Sequence, residues 1–137
     1  IGVNIFFELN KQLAKMMSSQ EEYSINVEEI HHTKKLDTPS GTAITLAEGI
    51  INHTSKRDWQ LKERQTQINA ETILIEAKRV PDVPGTHIIS YESQIDSIEI
   101  KHTAHNRKGF ALGAIIAAEW LNHKIGIYTM KDVLNIG

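Results

Sequence analysis

Thr72-Ile73-Leu74-Ile75-Glu76-Ala77-Lys78-Arg79-Val80, Thr86-His87-Ile88-Ile89-Ser90-Tyr91 and Ile98-Glu99-Ile100-Lys101-His102-Thr103 follow one another with only short, turn-forming stretches between them. The first is β-branched and alternating. The third sets Ile98, Ile100 and His102 against Glu99, Lys101 and Thr103. Period-two patterning punctuated by Pro81, Pro84 and Gly85 predicts three strands, with antiparallel neighbours joined by short loops. Strands that succeed one another without intervening helices predict an α+β fold rather than a βαβ one. Ile73, Leu74 and Ile75 put apolar side chains on both faces of the first strand, so the second face of the sheet is expected to have a partner.

Working outward, Ile25 to His32 predicts a fourth strand, with Ile25 and Val27 on one face and Asn26 and Glu28 on the other. The alternation becomes imperfect after Glu28. At the start of the chain Val3, Phe6, Phe7, Leu13, Ala14 and Met17 recur at helical spacing, Lys11, Gln12 and Lys15 face water, and Ser18-Ser19-Gln20 ends the helix. Pro39 suits the first position of a second helix, capped by Thr38 or Asp37. That helix runs to about His53 and turns Ile44, Ala47, Ile50 and Ile51 inward. Ser55 to Asn69 is polar and reads as a loop. Lys108 to Leu121 is apolar nearly throughout, which predicts a helix buried on more than one side. Trp59 in the loop and Trp120 in this helix read as packing residues, and Thr129 to Ile136 as a short helical tail.

The composition narrows the class. The chain has 137 residues, 40% hydrophobic and 23% charged, as in an ordinary globular domain. Disorder, fibrous repeats and coiled coils are excluded. Fifteen basic against 17 acidic residues give a net charge of −2, so no global field attracts nucleic acid or an acidic membrane surface. Cysteine is absent, which removes disulfides, thiolate chemistry and Cys-based zinc sites and fits a reducing cytoplasm. The longest run of small apolar residues, Ala111 to Ala118, is far short of the ~20 needed to span a bilayer. The apolar start at Ile1, in place of a Met, leads us to expect a segment of a longer protein.

The chemistry concentrates in Glu28-Glu29-Ile30-His31-His32-Thr33-Lys34-Lys35-Leu36-Asp37-Thr38-Pro39-Ser40-Gly41-Thr42-Ala43. The first turn of a helix offers unpaired N–H groups and a partial positive charge. With Pro39 first, Ser40, Gly41 and Thr42 supply those donors, Gly41 lets an anion come close, and Lys34 and Lys35 add charge. This predicts a carboxylate or phosphate cradle. His31 and His32 point to opposite faces of a strand and serve one centre only if the strand ends there. Histidine can donate or accept a proton near neutral pH.

Glu29-x-His31-His32-x-x-Lys35-x-Asp37-x-Pro39-Ser40-Gly41-Thr42-Ala43 resembles the signature of the dihydrodipicolinate reductase (4-hydroxy-tetrahydrodipicolinate reductase) family. Ile1-Gly2-Val3-Asn4, Val83-Pro84-Gly85-Thr86-His87, Arg107-x-x-Phe110-Ala111-x-Gly113-Ala114 and Met130-Lys131-Asp132-Val133-Leu134 resemble further family segments. The resemblance spans the whole chain but only the family's C-terminal domain; Lys34 is a departure at a position between the key ones. It implies an α+β open sandwich with a mixed four-stranded sheet, helices on one face and the other face free for a homotetramer contact. It implies reduction of a cyclic dicarboxylic imine by NADH or NADPH in the diaminopimelate route to lysine. His31 would be the catalytic proton donor or acceptor, and Lys35 a second proton donor that also contacts substrate. His32 would bind one substrate carboxylate, and Gly41 and Thr42 would cradle one. Arg107 would lie near the interdomain hinge, able to contact the cofactor. The cofactor itself would be held mainly by an N-terminal domain outside this chain, consistent with the lack here of a Gly-x-Gly-x-x-Gly strand–turn–helix.

Two rival readings remain at this point. One is a non-enzymatic module that binds small dicarboxylates or only oligomerises. The other is a metal hydrolase built on His31, His32, His102 and His105. His87 reads as a hairpin residue, and His53 and His123 as helix-end residues favoured by the dipole.

Overall fold

The computed structural model describes residues 1–64 and 69–137. Among the described residues, four α-helices, α1 (Gly2–Met17), α2 (Gly41–Ile51), α3 (Lys108–Leu121) and α4 (Met130–Leu134), and one 3₁₀ turn (Lys62–Arg64) accompany five strands, β1 (Ser24–His31), β2 (Asp58–Leu61), β3 (Thr72–Arg79), β4 (Gly85–Glu92) and β5 (Ser97–Ala104). The strands form one mixed sheet in the order β2-β3-β1-β4-β5. β1 runs parallel to β3 and antiparallel to β4, and β4 pairs antiparallel with β5.

Alternation decides which face is covered. Ile25 and Val27 of β1, Ile73 and Ile75 of β3, and Ile89 and Tyr91 of β4 all point to one side and are buried. α1 and α2 pack there, contributing Phe6, Leu13, Ala14, Ala43, Leu46, Ala47 and Ile50. Each fully buried aliphatic side chain contributes about 1.5–3 kcal/mol. α1 also buries Asn10, whose Nδ2 donates to Leu46 O at 2.9 Å and ties the two helices together. On the opposite face Ile30, Leu74 and Ile88 are half-buried among charged side chains, including the Lys78–Glu28 pair at 2.9 Å and Lys62–Glu76 at 3.6 Å.

Several sequence expectations need correction. The sheet has five strands, not four, because Asp58–Leu61, read as loop, pairs parallel with β3 at its edge. Only Leu61 of it is buried, so its polar edge pattern hid it. Thr72 Oγ1 donates to Asp58 Oδ1 at 2.7 Å and pins the pair. Trp59 therefore lies on a strand and packs against the core. Residues 65–68 of that expected loop fall outside the described residues. β3 and β4 are not neighbours, since β1 lies between them. The cap of α2 is Ser40, with Oγ accepting from Ala43 N–H at 3.1 Å; Pro39 precedes the cap instead of opening the helix.

The largest departure is α3. Only Gly113 is buried, while Phe110, Leu112 and Ile115 are 61%, 54% and 57% exposed. Hydropathy records that a surface needs cover, not which polypeptide supplies it; within this chain α3 packs chiefly on α4. Trp120 stacks edge-on to Tyr128, with ring centroids 5.1 Å apart, and lies under Lys124 Nζ instead of in a core. Thr129 and Asp132 cap α4 reciprocally. Among the described residues no helix is long and apolar enough to cross a membrane.

Candidate functional site

The inward face of β1 is apolar at Ile25 and Val27 and polar at Glu29 and His31. The parallel register sets Arg79 of β3 opposite His31, and the antiparallel register sets His87 of β4 opposite Glu29. Four polar side chains thus close one end of the core, beneath the start of α2. Glu29 is wholly buried. Its Oε2 accepts from Arg79 Nη1 at 2.9 Å and pairs with His31 Nδ1. Its Oε1 accepts from the Ser40 N–H at 2.9 Å and from Arg79 Nη2 at 3.1 Å. Arg79 also donates to Asp37 O at 2.8 Å and Thr38 Oγ1 at 3.2 Å, tying down the loop that carries the motif.

Burial alone would raise the Glu29 carboxyl. The hydrogen bonds from Arg79, His31 and Ser40 outweigh it and hold the group below its ordinary value, hence ionised. His87 behaves oppositely. Burial, followed by the neighbouring His31 charge, pushes it from 6.5 to about 4, so the ring is neutral at neutral pH. It stands edge-on to His31 with centroids 5.0 Å apart, and its Nε2 lies 3.2 Å from Ser40 Oγ. A Cβ at residue 85 would sit 3.1 Å from His31 Nε2, so the glycine there leaves that nitrogen room.

β1 ends at His31, and His32 turns out of the ladder. Arg107 Nη2 approaches His32 Nε2 to 3.1 Å. The two residues border a cleft of about 320 Å³ between the Thr33–Lys34 turn and the Pro81–Pro84 turn. Lys35 Nζ pairs with Asp37 Oδ1 at 2.9 Å, and the hydrogen bond from Lys35 holds that carboxyl below its usual range. At the start of α2 the Gly41 and Thr42 N–H groups find no acceptor among the described residues, and the space beside Gly41 is open, with nothing within 4 Å of where a Cβ would lie. An anchored imidazole, a lysine and an arginine on the flanking loops and free N–H donors at the start of α2 are the group types that suit a small anion that must also exchange a proton. Among the described residues no three His, Asp or Glu side chains group so as to hold a metal ion.

The family model described as dihydrodipicolinate reductase, C-terminus, matches residues 2–134. The chain belongs to this family. It is 59% identical over 136 residues to a 4-hydroxy-tetrahydrodipicolinate reductase of Christiangramia forsetii, covering 98% of this chain and 55% of that relative. It is 39% identical over 137 residues to one of Methanosarcina barkeri, covering 99% of this chain and 51% of that relative. The chain therefore spans about half the length of these curated relatives. Its fold is that of a dihydrodipicolinate reductase from Paenisporosarcina sp. TG-14 described as dipicolinate-bound, with TM-score 0.66 and 20% identity over 96% of this chain and 52% of that one.

Within this chain the expected residues fall into three places. His31 sits in the buried cluster, His32 meets Arg107 at the cleft, and Lys35, Gly41 and Thr42 lie on the loop and helix start that follow β1, outside the cleft lining. His102 joins neither group: it faces Phe6 at 5.8 Å and crowds Gly2. Glu29, Arg79, Ser40 and His87 carry the cluster, yet sequence reasoning gave Glu29 and Arg79 no functional role, read His87 as a hairpin residue and expected Ser40 to offer its N–H to an anion, whereas that N–H is taken by Glu29. The available signal was the run Ile25, Val27, Glu29, His31, in which polar residues take over core-facing positions.

Proposed function

We propose that residues 1–137 are the substrate-binding and oligomerisation domain of a 4-hydroxy-tetrahydrodipicolinate reductase, which reduces a cyclic dicarboxylic imine on the diaminopimelate route to lysine. The observation that carries this reading is the His31 imidazole anchored to a buried, ionised Glu29, on the segment that runs on to Lys35 and the open N–H groups of Gly41 and Thr42. A flat ring with two carboxylates matches that set, and the name of the dipicolinate-bound relative fits the same chemistry.

NADH or NADPH supplies hydride when bound. The described residues contain no glycine-rich strand–turn–helix to hold a dinucleotide, and we assign that task to the half of the relatives that this chain does not span. What this chain contributes is the proton and the grip. Hydride addition to a conjugated imine leaves an electron pair and one extra negative charge on the ring, and restoring the charge of the substrate requires one proton. His31 Nε2 delivers that proton, with Nδ1 held by Glu29. Lys35, released from Asp37, is a second donor that contacts the ring substituents. His32 takes one carboxylate, and the Gly41 and Thr42 N–H groups take the other through the positive end of α2. Arg107 steadies His32 at the hinge side. The open face of the sheet, with Ile30, Leu74 and Ile88, is the surface through which four copies associate in the cytoplasm.

In the full-length protein His31→Ala and Lys35→Ala should each lower turnover at least about 100-fold while NADPH affinity, measured by titration calorimetry, stays within about threefold. Parallel loss of cofactor binding, or near-normal turnover, overturns the assignment. A dicarboxylate-binding module without reductase activity would bind dipicolinate and show no turnover even in the wild type.

A further inference from the structure

We propose that Glu29 is the positioning residue of this site: its buried carboxylate holds His31 by Nδ1 in one orientation and one tautomer, and Arg79 and the Ser40 N–H hold Glu29. The inference rests on the reading of His31 as proton donor and extends it to residues that the motif leaves without a role.

A carboxylate buried to 0% exposure is costly unless every lone pair finds a donor. Here Arg79 contributes two N–H groups, Ser40 one and His31 one, so both oxygens are saturated. An apolar residue would fill the same end of the core with less risk to stability. The group that gains direction from the arrangement is the imidazole. With Nδ1–H donating to Oε2, the neutral ring keeps its lone pair on Nε2, and the protonated ring has its transferable proton there, beside Gly85. Turning the ring over would break the Nδ1 bond and put a carbon against the carboxylate. His87, neutral and edge-on at 5.0 Å, closes the other side without adding charge.

The charged and titratable groups at His31 are Glu29 on its own strand, Arg79 on β3 and His87 on β4; His102 on β5 lies opposite His87, and Lys35 with Asp37 sits on the motif loop that Arg79 ties down. Glu29 is the anion among them in direct contact with the ring. Its loss removes the acceptor of the Nδ1 bond and leaves Arg79 beside the ring without its counter-charge.

The test uses the full-length protein with Glu29→Gln and Glu29→Asp, beside His31→Ala. For Glu29→Gln we expect kcat to fall about 100-fold with substrate KM within about threefold. The pH profile of kcat/KM should change with it, because the anion in contact with the ring is gone. Glu29→Asp keeps the charge and should recover part of kcat and the wild-type pH profile. In the wild type, 15N NMR of the imidazole should show neutral His31 protonated at Nδ1, a measurement that stands even if both variants fail to fold. A neutral ring protonated at Nε2, or Glu29→Gln with wild-type kcat and pH profile, overturns the proposal. If His31→Ala abolishes turnover while Glu29→Gln leaves it intact, the positioning role fails alone; if His31→Ala keeps turnover, the proton-donor reading fails with it.

Discussion

Acidification should weaken this fold through His87. The ring is 5% exposed, and burial, then the charge of His31, lowers its pKa from 6.5 to about 4. A base with a depressed folded pKa must stay neutral to remain folded. Its contribution is whole above pH 6.5 and is lost as pH falls toward 4. The span from 6.5 to about 4 corresponds to about 3 kcal/mol at the acid end, of which about 2 kcal/mol is lost between pH 7 and pH 5. The Glu29 carboxyl, held below its ordinary value, acts in the same direction at lower pH, so a single acid titration mixes the two. His87→Gln separates them. The amide can take the place of the ring nitrogen beside Ser40 Oγ, as donor or acceptor, and it does not titrate. Urea unfolding at pH 7 and pH 5 should show the wild type losing about 2 kcal/mol more than the variant over that interval. The His87 ring proton followed by NMR should not titrate between pH 8 and pH 5. Parallel losses in the two proteins, or a His87 titration near 6.5, would refute the argument from burial.

Two further outcomes follow from the same cluster. Arg79→Met leaves the Glu29 carboxylate buried without two of its donors, and should lower the urea-unfolding free energy by about 3 kcal/mol or more; a variant as stable as the wild type would refute the role given to the pair. Gly85→Ala puts a methyl group 3.1 Å from His31 Nε2, so turnover in the full-length protein should fall about tenfold or more with the urea midpoint nearly unchanged, and wild-type turnover would count against the open edge at Nε2.

Periodicity carried most of the local structure. β1, β3, β4, β5, α1 and the tail helix stand within a residue or two of where alternation and helical spacing put them, because those patterns report a single covered face. β2 escaped because a four-residue edge strand with one buried residue leaves too short a pattern to read. Ser40 was mistaken for an in-helix residue because Pro39 carries a strong first-position signal, whereas the cap is decided by which hydroxyl reaches the Ala43 N–H. α3 was read as buried because composition measures how much surface is apolar and is blind to what covers it.

By itself, the sequence determined the strand and helix periods, the near-neutral charge, and the run from Glu29 to Ala43 with its imidazoles, lysines and helix start, because these are properties of neighbours along the chain. The tertiary structure alone decided the sheet order. Inserting β1 between β3 and β4 brings Arg79 beside His31 and His87 opposite Glu29, across separations of 48 and 58 residues along the chain. Register between strands so distant depends on which faces bury together, and no local pattern encodes it. That pairing turns a buried glutamate from an apparent flaw in the alternation of β1 into the anchor of the imidazole.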